Sequence, residues 1–187
     1  MDIQQFLIQL REHGVKNTIP NITDKNAQFL GDMIRIGNVQ NLLEIGTANG
    51  YSTIHLCLAL RENGGKLTSI DYSLPSYNEA VENIKEAQVD DIATLIFGNA
   101  LVELPKFREK SFDMIFIDGQ KKRTLDFFEL SYPLLKDGGF FIIDDVIKFS
   151  EKMSSFYAYL NEKKIPHSIL KIDEDDGVMM IVKSKDI

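Results

Sequence analysis

Three aspartates in this sequence each follow a largely apolar run, and a lysine stands close to the first of them. Asp118 ends one run, the pair Asp144 and Asp145 ends another, and Lys121 lies three residues beyond Asp118. Carboxylates at the ends of neighbouring strands, about 5 Å apart, cannot all stay charged without a cation. Oxygen ligands of this kind favour Mg²⁺, Mn²⁺ or Ca²⁺. We therefore predict a divalent metal site, the alternative being that each aspartate caps the next segment and points to water.

A glycine-rich turn earlier in the chain predicts a nucleotide-like cofactor. Gly46 and Gly50 lie between an apolar segment and a helical one, and Asp71 ends the next apolar segment. Such a turn offers free backbone amides to an anionic group, and the acid about 20 residues later can bind a ribose. The spacing matches neither a dinucleotide fingerprint nor a P-loop, so a carboxylate fits better than a pyrophosphate. Alternatively, the turn serves packing and Glu44 caps its amides.

These residues require alternating strands and helices to bring them together. Apolar runs of strand length alternate with segments of helical period, which indicates βαβ units and a doubly wound, Rossmann-like α/β sheet. We predict seven mainly parallel strands ending in an antiparallel hairpin, with the runs 112–117 and 140–143 at the centre. The predicted strands are 41–45, 66–70, 93–97, 112–117, 140–143, 167–172 and 178–182, and the predicted helices are 3–12, 25–36, 51–62, 77–86, 124–135 and 151–163.

Length and composition limit the remaining possibilities. With 187 residues, 44% hydrophobic, residues 1–187 are predicted to form one domain, in which helices within residues 1–38 cover the site. No apolar run spans a bilayer and the first residues do not look like a secretion signal, so we expect a cytoplasmic protein without membrane contact. The net charge of −7 disfavours polyanions except near residues 121–123, the one compact basic run.

The motifs together resemble those of S-adenosylmethionine-dependent O-methyltransferases of the catechol and caffeoyl-CoA type. The resemblance begins with the run LEIGTANGYS at residues 43–52 and continues through residues 118–121, 138–139, 144–146 and 176–177. Bacterial tRNA 5-hydroxyuridine methyltransferases look most similar within that group, because they also carry an Ile-Pro segment and a Glu-Ile-Gly-Thr-Ala loop. The resemblance covers the chain from about residue 19 to residue 182.

The resemblance implies a role for each candidate residue. The cofactor S-adenosylmethionine would contact Glu44, Gly46, Ala48, Gly50, Ser52, Asp71, Tyr72, Gly98, Asn99, Ala100 and Asp118. Asp118, Asp144 and Asp145 would hold Mg²⁺, or Mn²⁺ or Ca²⁺, and Lys121 would take the proton from the acceptor hydroxyl. Two positions depart from the family, because Asn99 replaces an acid and Asp145 replaces an asparagine. A third carboxylate should bind the metal more tightly but weaken its Lewis acidity.

The acceptor remains open between a small aromatic, catechol-like hydroxyl and a tRNA nucleoside. The resembling enzymes carry longer segments before residue 19 and after residue 146, which implies a more open acceptor site here. An NAD-linked oxidoreductase and a non-catalytic cofactor-binding protein are rival interpretations. Phe6, Leu7 and Leu10 would give a possible homodimer face if no core covers them.

Overall fold

The computed structural model describes residues 2–174 and 176–184, which form a three-layer α/β fold around one sheet. Seven strands occur in the order β3-β2-β1-β4-β5-β7-β6. All neighbours are parallel except the pairs β5 with β7 and β6 with β7, which are antiparallel. The strands are β1 (Asn41–Ile45), β2 (Lys66–Asp71), β3 (Ala93–Phe97), β4 (Phe112–Ile117), β5 (Leu135–Ile143), β6 (Ser168–Leu170) and β7 (Val178–Val182). The predicted Rossmann-like fold with a C-terminal antiparallel hairpin is confirmed.

Helices cover both faces of the sheet, and each face has its own apolar core. One core packs beneath the first three helices, and the other lies beneath the sixth and seventh. Residues of β4 alternate between the cores, with Phe116 in the first and Ile115 in the second. The α-helices are α1 (Ile3–Lys16), α2 (Asp24–Ile36), α3 (Tyr51–Asn63), α4 (Leu74–Glu86), α5 (Ala100–Glu103), α6 (Thr124–Ser131) and α7 (Ser154–Glu162).

The switch of strand order beside β1 places the predicted site residues at one edge of the sheet. β1 lies between β2 and β4. The sheet continues through β2 and β3 on one side of β1, and through β4 and β5 on the other. The carboxyl ends of β1, β2, β4 and β5 therefore meet, and Ile117 of β4 pairs with Ile143 of β5 immediately before the aspartates. Crevices at such switch points are where open α/β sheets bind ligands.

Several element boundaries differ from the predictions. The helix predicted over 124–135 ends at Ser131 and gives way to a 3₁₀ turn, so that β5 begins at Leu135. Pro133 lies within this turn and cannot continue the α-helical hydrogen bonding. The helix predicted over 151–163 starts as a 3₁₀ turn and becomes α-helical only at Ser154.

Two further boundaries reflect capping and strand ends. α4 begins at Leu74 and not at residue 77, because the Ser73 side chain accepts a bond from the Ser76 amide and Pro75 lies in the first turn. β6 is limited to Ser168–Leu170, which is shorter than predicted, and the connection to β7 is correspondingly longer. Asp175, part of the predicted acidic turn, lies outside the described residues.

The inner face of α1 belongs to the core of the chain. Phe6, Leu7 and Leu10 are each at most 9% exposed and pack into the first core. The condition attached to the predicted dimer face, that no core covers these three side chains, is therefore not met. None of the helices in the described ranges has both the length and the apolar composition of a bilayer-spanning segment.

Candidate active site

The glycine turn after β1 owes its glycines to backbone geometry. Gly46 has φ +104°, and a Cβ atom there would lie 2.6 Å from the carbonyl oxygen of Asp118. Gly50 has φ +85° and precedes the first residue of α3. Ala48, between them, also has a positive φ of 47°. Only glycine takes such conformations without cost. Because Gly46 has no side chain, the turn can also lie against the carbonyl group of Asp118, the residue that follows β4.

Asp71 ties the turn to the end of β2. Its Oδ2 atom accepts bonds of 3.0 Å from the backbone amides of Thr47 and Ala48, and Oδ1 accepts one of 2.8 Å from Ser73. Asp71 is 8% exposed and lines the cavity described below. The carboxylate thus has a fixed orientation, which is what recognition of a ribose at this place would require.

Glu44 points away from the cavity. Its carboxylate is fully buried and accepts bonds from the hydroxyls of Ser52 at 2.6 Å, Thr53 at 2.5 Å and Ser69 at 2.6 Å. Burial raises the pKa of Glu44 to about 7, although these hydroxyls lower it. Among the described residues, the carboxylate bonds to these hydroxyls and not to the loop amides of the alternative interpretation, and the cofactor contact of Glu44 stays a prediction. Glu44 instead anchors the first turn of α3 to β1 and β2.

A cavity of about 700 Å³ joins the glycine turn to the acidic residues. This volume lies within the range typical of small-molecule sites. Most of the predicted residues line it, namely Gly46, Ala48, Ser52, Asp71, Tyr72, Gly98, Asn99, Ala100, Asp118, Lys121 and Asp145. Glu44, Gly50 and Asp144 do not line it. The cavity wall also includes residues 18–22, which precede α2.

The three predicted aspartates converge at the ends of β4 and β5. One carboxylate oxygen from each of Asp118, Asp144 and Asp145 lies within 4.8 Å of the others. Lys121 Nζ lies 2.6 Å from Asp118 Oδ1 and 2.8 Å from Asp145 Oδ2. Asp145 has φ +61°, a conformation that an aspartate adopts more readily than most residues.

Two carboxylates of this cluster are paired with Lys121, and the third, that of Asp144, is buried. Burial lowers the pKa of Lys121, but Asp118 and Asp145 outweigh it and hold the pKa above the ordinary lysine value. Asp144 is only 8% exposed, and burial followed by repulsion from Asp118 and Asp145 raises its pKa. Lys121 is therefore the countercharge for two of the acids, whereas the Asp144 carboxylate forms no ion pair within the described part of the chain.

Asn26 is a residue of this cluster that the sequence analysis missed. It lies in the first turn of α2, is 2% exposed, and donates a 2.8 Å bond from Nδ2 to Asp144 Oδ1. Its Oδ1 atom is buried and has no hydrogen-bond partner in residues 2–174 and 176–184. A polar amide on the apolar stripe that also contains Ala27, Leu30 and Ile34 was the available signal. The partner, 118 positions away, had no local signature.

The residues of this site fit the two groups that the resemblance implies, which are a divalent cation and the nucleoside of S-adenosylmethionine. For a divalent cation, the three carboxylates supply hard oxygen ligands, and the Asn26 amide bonded to Asp144 keeps a buried oxygen that has no donor among the described residues. For a nucleoside, the ordered Asp71 carboxylate and the Gly98–Ala100 wall meet in one cavity. The Asn99 side chain itself accepts a 3.0 Å bond from the Leu101 amide and so caps α5.

Comparison with known proteins gives one family over most of the chain. The family model described as O-methyltransferase matches residues 1–178. The tapetum-specific methyltransferase 1 of Arabidopsis thaliana is 34% identical over 124 residues, which cover 65% of this chain and 53% of that protein. The catechol O-methyltransferase of Niastella koreensis is 31% identical over 131 residues, covering 68% of this chain and 59% of that protein. The chain thus spans a little over half the length of these relatives.

Solved structures extend the similarity over nearly the whole fold. The O-methyltransferase from Bacillus cereus, solved in complex with SAH, has a TM-score of 0.84 and 25% identity, covering 96% of this chain and 91% of that one. The region matched by the family model contains the glycine turn, Asp71, the three aspartates and Lys121. The chain therefore belongs to the O-methyltransferase family.

Proposed function

We propose that this protein transfers the methyl group of S-adenosylmethionine to a hydroxyl oxygen of an aromatic acceptor that carries a second oxygen beside it, with a divalent cation at the three aspartates. The observation that carries the proposal is the shared cavity. The glycine turn and Asp71 line one part of it, and Asp118, Asp145 and Lys121 line another. A methyl donor and an acceptor can therefore lie in contact within one space, which is the geometry that in-line transfer needs.

The cofactor end of the cavity supports binding of a methionine nucleoside. The turn from Gly46 to Gly50 leads into α3, whose first amides have no helical partners. Those amides suit the carboxylate of the cofactor. Asp71 suits its ribose hydroxyls, and Tyr72 with Gly98 suits the flat adenine ring. Each of these assignments is part of the proposal.

The acidic end supports activation of an acceptor hydroxyl. A divalent cation held by Asp118, Asp144 and Asp145 would lower the pKa of an adjacent hydroxyl and, by drawing the carboxylates from Lys121, the pKa of the lysine as well. Lys121 would then accept the hydroxyl proton. The bond from sulfur to the methyl carbon breaks as the bond from oxygen to that carbon forms, which leaves S-adenosylhomocysteine and the methyl ether.

The acceptor class rests on chemistry and on the named relatives. One of them is a catechol O-methyltransferase and another is the caffeoyl-CoA O-methyltransferase 1 of Eucalyptus globulus, 30% identical over 145 residues. Two adjacent oxygens on an aromatic ring suit a site of clustered carboxylates, because one cation can bind both. The tRNA nucleoside stays a prediction, since Arg123, the cationic side chain at the cavity beside Lys121, is paired with Asp126 at 2.9 Å.

Methyl transfer from labelled S-adenosylmethionine to simple catechols tests the proposal. We expect turnover with Mg²⁺ or Mn²⁺ and its loss in excess EDTA. The double variant Asp118→Ala/Asp144→Ala should lose the cation-dependent activity but bind S-adenosylhomocysteine in calorimetry. The variant Asp90→Ala/Asp91→Ala, which removes the same charge at exposed positions, should behave as wild type. Full turnover in EDTA would refute the role of the acids, and no binding of S-adenosylhomocysteine would refute the reaction.

A further inference from the structure

Asn26 joins the N-terminal part of the chain to the acidic cluster. α2 begins two residues earlier, and the segment directly before it, residues 18–22, lines the cofactor cavity. The only side chain bonded to the carboxylate of Asp144 in the described residues is the Asn26 amide, at 2.8 Å. This hydrogen bond therefore connects Asp144, a predicted cation ligand, to the helix that follows the cavity-lining residues 18–22.

The N-terminus of α2 is held at this place by a second contact. Thr23 accepts a 3.1 Å bond from the backbone amide of Asn26 and donates bonds of 2.9 Å to both oxygens of Asp173, in the connection between β6 and β7. The contacts of Thr23 thus hold the backbone of Asn26 in place. Its side chain can orient Asp144 without depending on a flexible stem.

The amide of Asn26 is only half satisfied. Nδ2 donates to Asp144 Oδ1, but the buried Oδ1 has no donor among the described residues. Burying a polar atom without a partner costs on the order of 1–3 kcal/mol, so such atoms are uncommon unless a function retains them. The arrangement is therefore better suited to a site that receives positive charge than to packing alone.

We propose that Asn26 is a positioning residue that couples the cation site to the cofactor cavity. It holds Asp144 in the orientation for cation binding, and through that contact the cation stabilises the N-terminus of α2 and the wall formed by residues 18–22. The coupling rests on the proposed function, because it requires a cation at the aspartates. Since linkage is reciprocal, the cation should tighten cofactor binding by the same factor by which the cofactor tightens cation binding.

The experiment uses Mn²⁺ and S-adenosylhomocysteine with the full chain and measures no activity. Calorimetry gives the Mn²⁺ affinity and the S-adenosylhomocysteine affinity with and without Mn²⁺. Amide hydrogen exchange gives the protection that Mn²⁺ confers on residues 18–26. The variants are Asn26→Ala, which is smaller than asparagine, and Asn26→Leu, which is larger, so an effect that both share does not come from a change of volume in one direction. Gln28→Ala, on the exposed face of the same helix, is the matched control.

We expect both Asn26 variants to bind Mn²⁺ about 10–100-fold more weakly, the usual effect of losing a residue that orients a metal ligand. The protection of residues 18–26 by Mn²⁺ should also be lost, while S-adenosylhomocysteine affinity without Mn²⁺ stays at the wild-type value. Wild-type Mn²⁺ affinity or retained protection in these variants would overturn the coupling alone. Failure of the wild-type chain to bind Mn²⁺ would overturn both the coupling and the cation in the proposed function.

Discussion

Lys121 is the residue on which the proposed chemistry depends most directly. It is an ammonium group in the cation-free chain, because Asp118 and Asp145 hold its pKa above the ordinary value despite its burial. It can act as a base only when positive charge nearby displaces these carboxylates. The proposed reaction therefore gives this side chain two roles in sequence, first as the countercharge of Asp118 and Asp145 and then as the proton acceptor.

Replacing Lys121 by methionine separates the two roles. We expect Lys121→Met to slow methyl transfer by about 10²–10⁴-fold near neutral pH, the usual effect of a positioned base. The rate should recover in part as pH rises and the acceptor hydroxyl ionises without help. Mn²⁺ should bind at least as tightly as in wild type, because a competing cation is gone. Single-turnover rates across pH and calorimetry measure these effects.

The neighbouring lysine provides the control for this prediction. Lys122 is exposed and does not line the cavity, so Lys122→Met should keep the wild-type rate at every pH. A wild-type rate in Lys121→Met would show that another group takes the proton. A low rate that is the same at all pH values, together with lost cofactor binding, would show that Lys121 only maintains the structure.

Glu44 is a buried acid whose carboxylate bonds to hydroxyl groups of α3 and β2. Its pKa in the folded chain is about 7, above the ordinary value of 4.5, mainly because of burial. The folded state therefore binds more protons than the unfolded state between these two pH values. The contribution of Glu44 to stability is complete below about pH 4.5 and decreases as pH rises towards about pH 7.

The variant Glu44→Gln tests this pH dependence. Glutamine has no proton to lose, so the stability of wild type relative to the variant should fall by on the order of 1–3 kcal/mol between about pH 4.5 and about pH 8. Urea unfolding at several pH values measures the difference. Glu86→Gln, at an exposed position at the end of α4, should stay parallel to wild type. A parallel curve for Glu44→Gln would contradict the assignment.

At the level of elements, the turn between β1 and α3 is built by contact with β4. Gly46 combines a φ of +104° with a separation of only 2.6 Å between an added Cβ atom and the Asp118 carbonyl oxygen. Both the torsion angle and the space exclude a side chain. The turn that faces the cofactor cavity and the strand that ends in the first acid are thereby held at one fixed separation.

Two glycine substitutions separate the torsional cost from the steric one. Gly64 has φ +71° with no atom within 4 Å of an added Cβ, so Gly64→Ala should cost only about 1 kcal/mol of unfolding free energy. Gly46→Ala adds overpacking to the strained torsion and should cost about 2–4 kcal/mol. Binding of S-adenosylhomocysteine should weaken only in Gly46→Ala. Equal losses in the two variants, by denaturant unfolding, would show that the contact with Asp118 is unimportant.

At the scale of the whole molecule, a ligand at the switch point should stabilise the fold. S-adenosylhomocysteine at about 100 times its Kd should add about 2.7 kcal/mol, which for a chain of this size raises Tm by about 5–10 °C. NAD at the same concentration should cause no shift, in contrast to the expectation for an oxidoreductase. Asp71→Asn should reduce the shift because the carboxylate that holds Thr47 and Ala48 is lost. A shift with NAD alone would favour the oxidoreductase.

The fold and the strand-end acids of the candidate site could be predicted from the sequence because they depend on local patterns. Strand-length apolar runs and helical periods specify a parallel sheet with a C-terminal hairpin, and strand ends in such a sheet gather at one edge. Asp71, Asp118, Asp144 and Asp145 were found in this way. The boundary errors have the same origin, since the apolar pattern over 124–135 does not show where Pro133 interrupts the helix.

Only the tertiary structure decided how these residues face one another. Glu44 turns towards three hydroxyls and does not line the cavity, and Phe6 turns into the core of the chain. Asn26 meets Asp144 across 118 positions of sequence. Periodicity states which face of an element is buried, whereas the contact that each buried group makes depends on how the elements pack together. The sequence by itself therefore determined the fold and the acids that gather at the strand ends, whereas packing brought Asn26 to them and determined what each residue touches.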